Sequence, residues 1–126
     1  MSENHVTGKV IIVTGAAGGF GRLVCQKTAS LGAQIVACDV NEAELNQTIH
    51  HITADGGEAV AVVADVTSRA DMFEVVDHAI DRYSKIDVIV NNAGTMPLAF
   101  YENHSEAADA WDRCIDINIK GVLNGI

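Results

Sequence analysis

The sequence predicts an α/β fold: a doubly wound parallel sheet with helices on both faces. Three observations carry this. Apolar runs of five or six residues, rich in Val, Ile and Ala, recur four times. Between them lie stretches with helical periodicity, opened by capping residues or closed by glycine. Polar residues suited to binding follow each run: a glycine cluster, then Asp39, then Asp65, then Asn91 to Gly94. Strand–helix alternation of this kind reads as βαβ units, whose right-handed crossovers give a parallel sheet. In such sheets ligands bind beyond the C-terminal ends of the strands, where strand order reverses.

Composition narrows the function classes. The 126 residues are 48% hydrophobic and 20% charged, enough for one domain, 1–126, with a real core. Eight Lys and Arg stand against 17 Asp and Glu, a net charge of −9, which argues against a nucleic-acid surface. Cys25, Cys38 and Cys114 are odd in number and far apart, so neither a disulfide framework nor a zinc knuckle is expected, and a reduced, cytoplasmic setting fits. The opening stretch lacks an apolar signal core, and no apolar run nears the roughly 18 residues of a membrane span.

The elements follow in order. Lys9 to Thr14 is the first strand, and a helix runs from about Gly19 to Leu31, with Leu23, Val24, Lys27, Thr28 and Leu31 near one face. Gly32 stops it. Gln34 to Cys38 is the second strand, ending at Asp39. Asn41 with Glu44 resembles a capping box, followed by Leu45, Ile49 and Ile52 at helical spacing. Ala59 to Ala64 is the third strand. Ser68 with Asp71 caps a third helix, in which Phe73, Val76, Ile80 and Tyr83 mark the apolar face. Ile86 to Val90 is the fourth strand, Pro97 lies in the loop beyond, and the chain is helical from Ser105.

The glycine cluster, Thr14 to Gly21, is the strongest single signal. A strand turning sharply into a helix leaves backbone N–H groups outward at the positive end of the helix dipole, a site for an anion. Gly15 permits the turn, Gly19 lets backbone approach a pyrophosphate, and Gly21 allows close helix–strand packing. Phe20 offers its N–H and a ring that closes the turn. Read alone, the cluster also fits a plain strand-to-helix turn.

The other strand ends extend the reading. Asp39 lies 18 residues after Gly21, close to the spacing of about 20 at which an acid binds a ribose 2′-hydroxyl. Its charge repels a 2′-phosphate, and no Lys or Arg occurs from Ala16 to Gly19 or Val40 to Ala43, so NAD is expected over NADP. Asp65 and the Val66 N–H are complementary to an adenine edge, though a turn role for Asp65 fits this stretch equally well. Asn91 and Asn92 are amides that hold strands together, line a site, or do both. Asn118 falls on an apolar stripe with Trp111, Ile115 and Val122; it either caps a backbone defect or faces the site, holding a water or a helix carbonyl. The histidines are scattered, and no metal-ligand spacing or Ser–His–Asp arrangement is supported.

Together these residues resemble the short-chain dehydrogenase/reductase family. Thr14-Gly15-Ala16-Ala17-Gly18-Gly19-Phe20-Gly21 is similar to its TGxxxGxG cofactor motif, with Phe20 in place of the usual aliphatic residue. Asp39 matches its NAD-selecting acid, Asp65-Val66 its adenine-contacting pair, Asn91-Asn92-Ala93-Gly94 its NNAG motif, and Asn118 its catalytic asparagine. The resemblance implies a Rossmann-type fold, NAD as cofactor, hydride transfer between a secondary alcohol and a ketone, and a dimer or tetramer. It also implies a catalytic serine and a Tyr-x-x-x-Lys pair, which normally lie beyond the position where this chain stops. Neither Tyr83 nor Tyr101 has Lys four residues later. The chain is therefore expected to be the cofactor-binding half, cut after the fourth strand within a long helix, inactive alone, and completed by a C-terminal fragment or other copies. Rival readings are a non-catalytic nucleotide-binding or assembly module and a methyltransferase; the glycine spacing and Asn91 to Gly94 argue against the latter.

Overall fold

The structure, a computed structural model, describes residues 4–95 and 104–126. Pro97 and Tyr101 lie outside the described residues. Four strands form one parallel sheet: β1 (Val10–Thr14), β2 (Gln34–Asp39), β3 (Glu58–Val63) and β4 (Val88–Val90), in the order β3-β2-β1-β4. Between them run α1 (Gly19–Ser30), α2 (Glu42–Ala54) and α3 (Arg69–Tyr83). After β4 come α4 (His104–Ile115), a π-helical turn (Asp116–Lys120) and α5 (Gly121–Gly125). The sheet is the doubly wound Rossmann-type arrangement expected, and strand order reverses between β1 and β4.

β1 is fully buried and central because it carries apolar side chains on both faces. Ile11 and Val13 pack with Cys25, Ala29, Leu45 and Ile52 under α1 and α2. Val10 and Ile12 pack with Met72, Val75 and Ala79 under α3, joined by Ile117 from the π turn. Register aligns the strand ends: Thr14 sits beside Cys38, Val13 beside Val90, and Asp39 beside Val63. This brings four loops to one edge.

Both expected caps form in part. The Asn41 side chain accepts from Glu44 N at 3.1 Å, and Ser68 Oγ from Asp71 N at 3.2 Å, each worth about 1 kcal/mol. The reciprocal halves go elsewhere: the Glu44 carboxylate meets Arg22, and Asp71 Oδ2 accepts from Asp65 N at 2.9 Å.

Three helix faces differ from expectation. On α1 the buried stripe is Gly21, Cys25 and Ala29, whereas Leu23 is 59% exposed and Leu31 40%. Small residues win there because α1 lies close against the sheet. On α3 the buried stripe is Met72, Val75 and Ala79, with Tyr83 packed against the same core. Phe73, Val76 and Ile80 occupy a neighbouring, exposed stripe. The third difference lies after Ile115. The π turn holds an extra residue per turn and rotates the downstream residues by about 100° relative to a continuous α-helix. Ile115 is left exposed, while Ile117 and Gly121 face the molecule. A Cβ on Gly121 would lie 2.6 Å from Val66 Cγ2, so the glycine permits close packing of α5.

Asp87 ties the start of the central strand. Its Oδ2 accepts from Val10 N at 2.8 Å and pairs with Lys85 at 3.1 Å. The Val10 bond first, then Lys85, holds this carboxyl below the usual carboxylate range. A carboxyl lowered on folding contributes stability that is present above its unfolded pKa and lost as pH falls through its folded one. Asp87→Asn is therefore expected to flatten the decline of melting temperature below about pH 4, leaving the neutral-pH slope unchanged; a wild-type acid limb in the variant would refute this.

Candidate cofactor site

The loops at the C-terminal strand ends enclose a cleft of about 230 Å³. Its walls include Gly15 after β1, Asp39 at the end of β2, Asp65 and Val66 after β3, and Ala93, Gly94 and Thr95 after β4. Every strand contributes, as the sequence pattern predicts. Ile117 and Arg113 close the side formed by the last helices.

The β1–α1 turn is shaped by three glycines, of which Gly19 takes a positive φ of +56°. Gly15 has φ +67°, and a Cβ there would lie 2.8 Å from Ala93 Cα. Gly21 packs beneath it: an added Cβ would meet the Gly15 carbonyl and stand 2.7 Å from Asn92 Nδ2. Gly18 and Gly19 differ, since a Cβ on either would meet nothing within 4 Å. Open space thus adjoins the start of α1.

That helix start is chemically unlike the next two. α2 and α3 have Asn41 and Ser68 as caps and acidic residues in the first turn. α1 has Gly18 at its N-cap, no side-chain cap bond and no acid in its first turn. Its leading N–H groups have no intrahelical acceptor, and the dipole favours negative charge. The cradle fits a pyrophosphate in charge and space. Phe20 beside it is 80% exposed.

Asp39 is anchored by the loop it faces. Its Oδ2 accepts from Ala17 N at 3.1 Å and its Oδ1 from Asn41 N at 3.1 Å. Asp65 Oδ1 accepts from Thr67 N and Thr67 Oγ1, at 2.9 and 2.7 Å. These bonds, the hydroxyl first, hold the Asp65 carboxyl below its usual range, and Arg113 adds to the shift. Both acids line the cleft wall.

The stretch after β4 divides its tasks. Ala93 and Gly94 line the cleft. Asn92 braces it from behind, its Nδ2 donating to Thr14 O and Gly15 O at 3.2 and 3.3 Å. Asn91 points toward α5, where Gly125 makes room for its side chain. Asn118 lies in the π turn. Its Oδ1 accepts from Thr95 N at 2.8 Å, and its Nδ2 donates to Thr95 O at 2.7 Å. The amide therefore clasps the backbone beside Gly94 and joins the π turn to the β4 loop.

Sequence reasoning missed four residues here. Thr14 Oγ1 accepts from Asn92 N and Ala93 N, both at 3.0 Å, pinning the β4 loop to β1. Arg22 and Thr48 hold the glycine loop from the side of α2. Arg113 lines the cleft. Thr48 carried a readable signal, a polar residue amid the apolar positions of α2, of the kind that singled out Asn118.

Fold and cleft together define a Rossmann-type nucleotide-binding protein. The chain belongs to the short-chain dehydrogenase family of oxidoreductases, whose family model matches residues 9–126. An uncharacterized oxidoreductase of Listeria monocytogenes is 43% identical over 121 residues, spanning 96% of this chain and 48% of that protein. A short-chain dehydrogenase/reductase from Burkholderia phymatum, solved in complex with NAD, superposes with a TM-score of 0.88 at 35% identity, covering 94% of this chain and 42% of the other. NAD+-bound xylitol dehydrogenase gives 0.89 at 31% identity, over 96% and 46%. The chain spans about half the length of the curated relatives it matches. Among the described residues no helix is long and apolar enough to cross a membrane, and no cluster of three or more His, Cys, Asp or Glu is placed to hold a metal.

Proposed function

We propose that this chain is the NAD-binding half of an oxidoreductase that interconverts a secondary alcohol and a ketone. The observation that carries the reading is the meeting of four strand ends at one cleft, with an uncapped helix start and two carboxylates around it. NAD supplies the hydride chemistry when bound. The chain's own residues bind and orient it. The N–H groups at the start of α1 take the pyrophosphate, Asp39 accepts from the ribose hydroxyls, and Asp65 with the Val66 N–H meets the adenine edge. Gly15, Ala93 and Gly94 keep the floor low enough for close approach. Asn92 and Asn118 act on this floor through the backbone they hold.

Two of the similar structures support this reading. The Burkholderia structure holds NAD, and the xylitol dehydrogenase structure holds NAD+. The second of these proteins is named for a polyol substrate. The proton donor in this reading is a tyrosine outside these 126 residues, so the chain alone binds cofactor without turning over. The exposed apolar residues Phe73, Val76 and Leu123 on α3 and α5 support completion by further polypeptide or by another copy. The unpaired cysteines, Cys25 and Cys38 among them, fit a cytoplasmic protein.

Calorimetric titration with NAD+, NADP+ and S-adenosylmethionine tests the reading. Saturable binding of NAD+, weaker binding of NADP+ and none of S-adenosylmethionine is the expected result. Absence of NAD+ binding, or preferential binding of S-adenosylmethionine, would overturn it. Hydride transfer by residues 1–126 alone would overturn the assignment of the proton donor.

A further inference from the structure

We infer that Arg22 and Thr48 are a positioning pair that aims the backbone of the glycine loop at the cofactor's phosphates. The inference rests on the cofactor reading above and assigns the pair no contact with the cofactor.

Thr48 is fully buried on α2. Its hydroxyl donates to Ala16 O at 2.8 Å and accepts from Arg22 Nε at 2.8 Å. Arg22 Nη2 donates to Ala17 O and to Glu44 O, the latter at 2.8 Å, and approaches Glu44 Oε2 at 3.4 Å. The N–H groups of the same two loop residues are also engaged. Ala16 N donates to Cys38 O and Ala17 N to Asp39 Oδ2, each at 3.1 Å. Each polar backbone group of Ala16 and Ala17 therefore has a named partner.

A trans peptide is planar, and its C=O and N–H point in opposite directions. Fixing Ala17 O toward α2 through Arg22 therefore turns the Gly18 N–H to the opposite side of the loop. On that loop a Cβ at Gly18 or Gly19 would meet nothing within 4 Å. Were this peptide to rotate, a carbonyl would replace the N–H at the anion seat. Gly18 has no side chain to resist rotation, so the restraint must come from its neighbours. Arg22 supplies it from α1, and buried Thr48 fixes where Arg22 sits. The guanidinium is occupied by Thr48, Ala17 and Glu44, and a lysine cannot satisfy three acceptors in that planar arrangement.

The test compares ligands with and without phosphates. NAD+, ADP and adenosine are titrated against wild type, Arg22→Lys, Thr48→Val and Thr48→Ser, each first checked by thermal unfolding. Arg22→Lys and Thr48→Val are expected to weaken NAD+ and ADP about tenfold, equivalent to about 1.4 kcal/mol and in line with one lost hydrogen bond. Adenosine should change less than about twofold, and Thr48→Ser should retain wild-type affinity. Equal weakening of adenosine and ADP would reduce the pair to a general structural role and overturn the inference. So would full ADP affinity in folded Arg22→Lys, because charge would then suffice. Should Thr48→Val fail to fold, Arg22→Lys, at a partly exposed side chain, decides the matter by itself. A wild type that binds neither NAD+ nor ADP overturns the cofactor reading and this inference with it, a result distinct from variants that match a binding wild type.

Discussion

Gly21→Ala is expected to lower stability by about 1–3 kcal/mol and to weaken NAD+ binding at least tenfold. The added methyl would press on the Gly15 carbonyl and stand 2.7 Å from Asn92 Nδ2. Neither neighbour can yield cheaply. Gly15 is held in its turn, and Asn92 Nδ2 donates to both Thr14 O and Gly15 O. The strain therefore passes directly to the floor of the cleft. Gly18→Ala is the matched control, since its Cβ meets nothing within 4 Å and its φ of −164° suits any residue. It should melt within about 0.5 kcal/mol of wild type. Thermal unfolding with calorimetric titration reads both quantities. A Gly21→Ala protein with wild-type melting and affinity would show that α1 does not lie as close to the turn as described.

Asp39→Ala should remove most discrimination between NADH and NADPH. In the proposed reading the carboxylate accepts from a ribose diol, and such charge-assisted bonds are worth about 1.5–3 kcal/mol each. NADH affinity is expected to fall about tenfold or more, while NADPH, relieved of repulsion, falls less or rises. Asp39 also accepts from Ala17 N and Asn41 N, so part of the NADH loss reflects a loosened loop. Asp39→Asn separates the effects: it keeps an acceptor but removes the charge. The decisive result is the ratio of the two dissociation constants. Wild-type protein that binds NADPH at least as tightly as NADH would refute the assignment of Asp39 as selector.

The strands and the residues that meet at their ends are legible in the sequence because both depend on local pattern. Buried parallel strands read as unbroken apolar runs, and the residues at their ends stand out by type. Gly15, Asp39, Asp65, Val66, Ala93 and Gly94 meet at one cleft because parallel strands all end on the same side. Helix faces were less legible. Helical spacing of large residues points to Leu23 and Phe73, but close packing on the sheet selects Gly21, Cys25 and Ala29 on α1. On α3, two apolar stripes lie side by side, and periodicity alone does not say which meets the core. The π turn was invisible, because one extra residue in a helix leaves no mark in composition. Arg22 carries no local signal, because its partner Thr48 lies 26 residues away and only the packing of α1 beside α2 brings the two together.

The hydroxyl of Thr14 bears on the order in which this protein is made. It accepts from Asn92 N, 78 residues later, and from Ala93 N beyond that. β1 leaves the ribosome before β4, so its β4 side has no partner until β2, β3 and the helices between them have followed. Such distant pairings slow folding, because the entropy of closing the chain is lost before the contacts form. The glycine turn is synthesised before its β4 partner and completed only with it, so this half of the sheet stays open while the intervening chain is made.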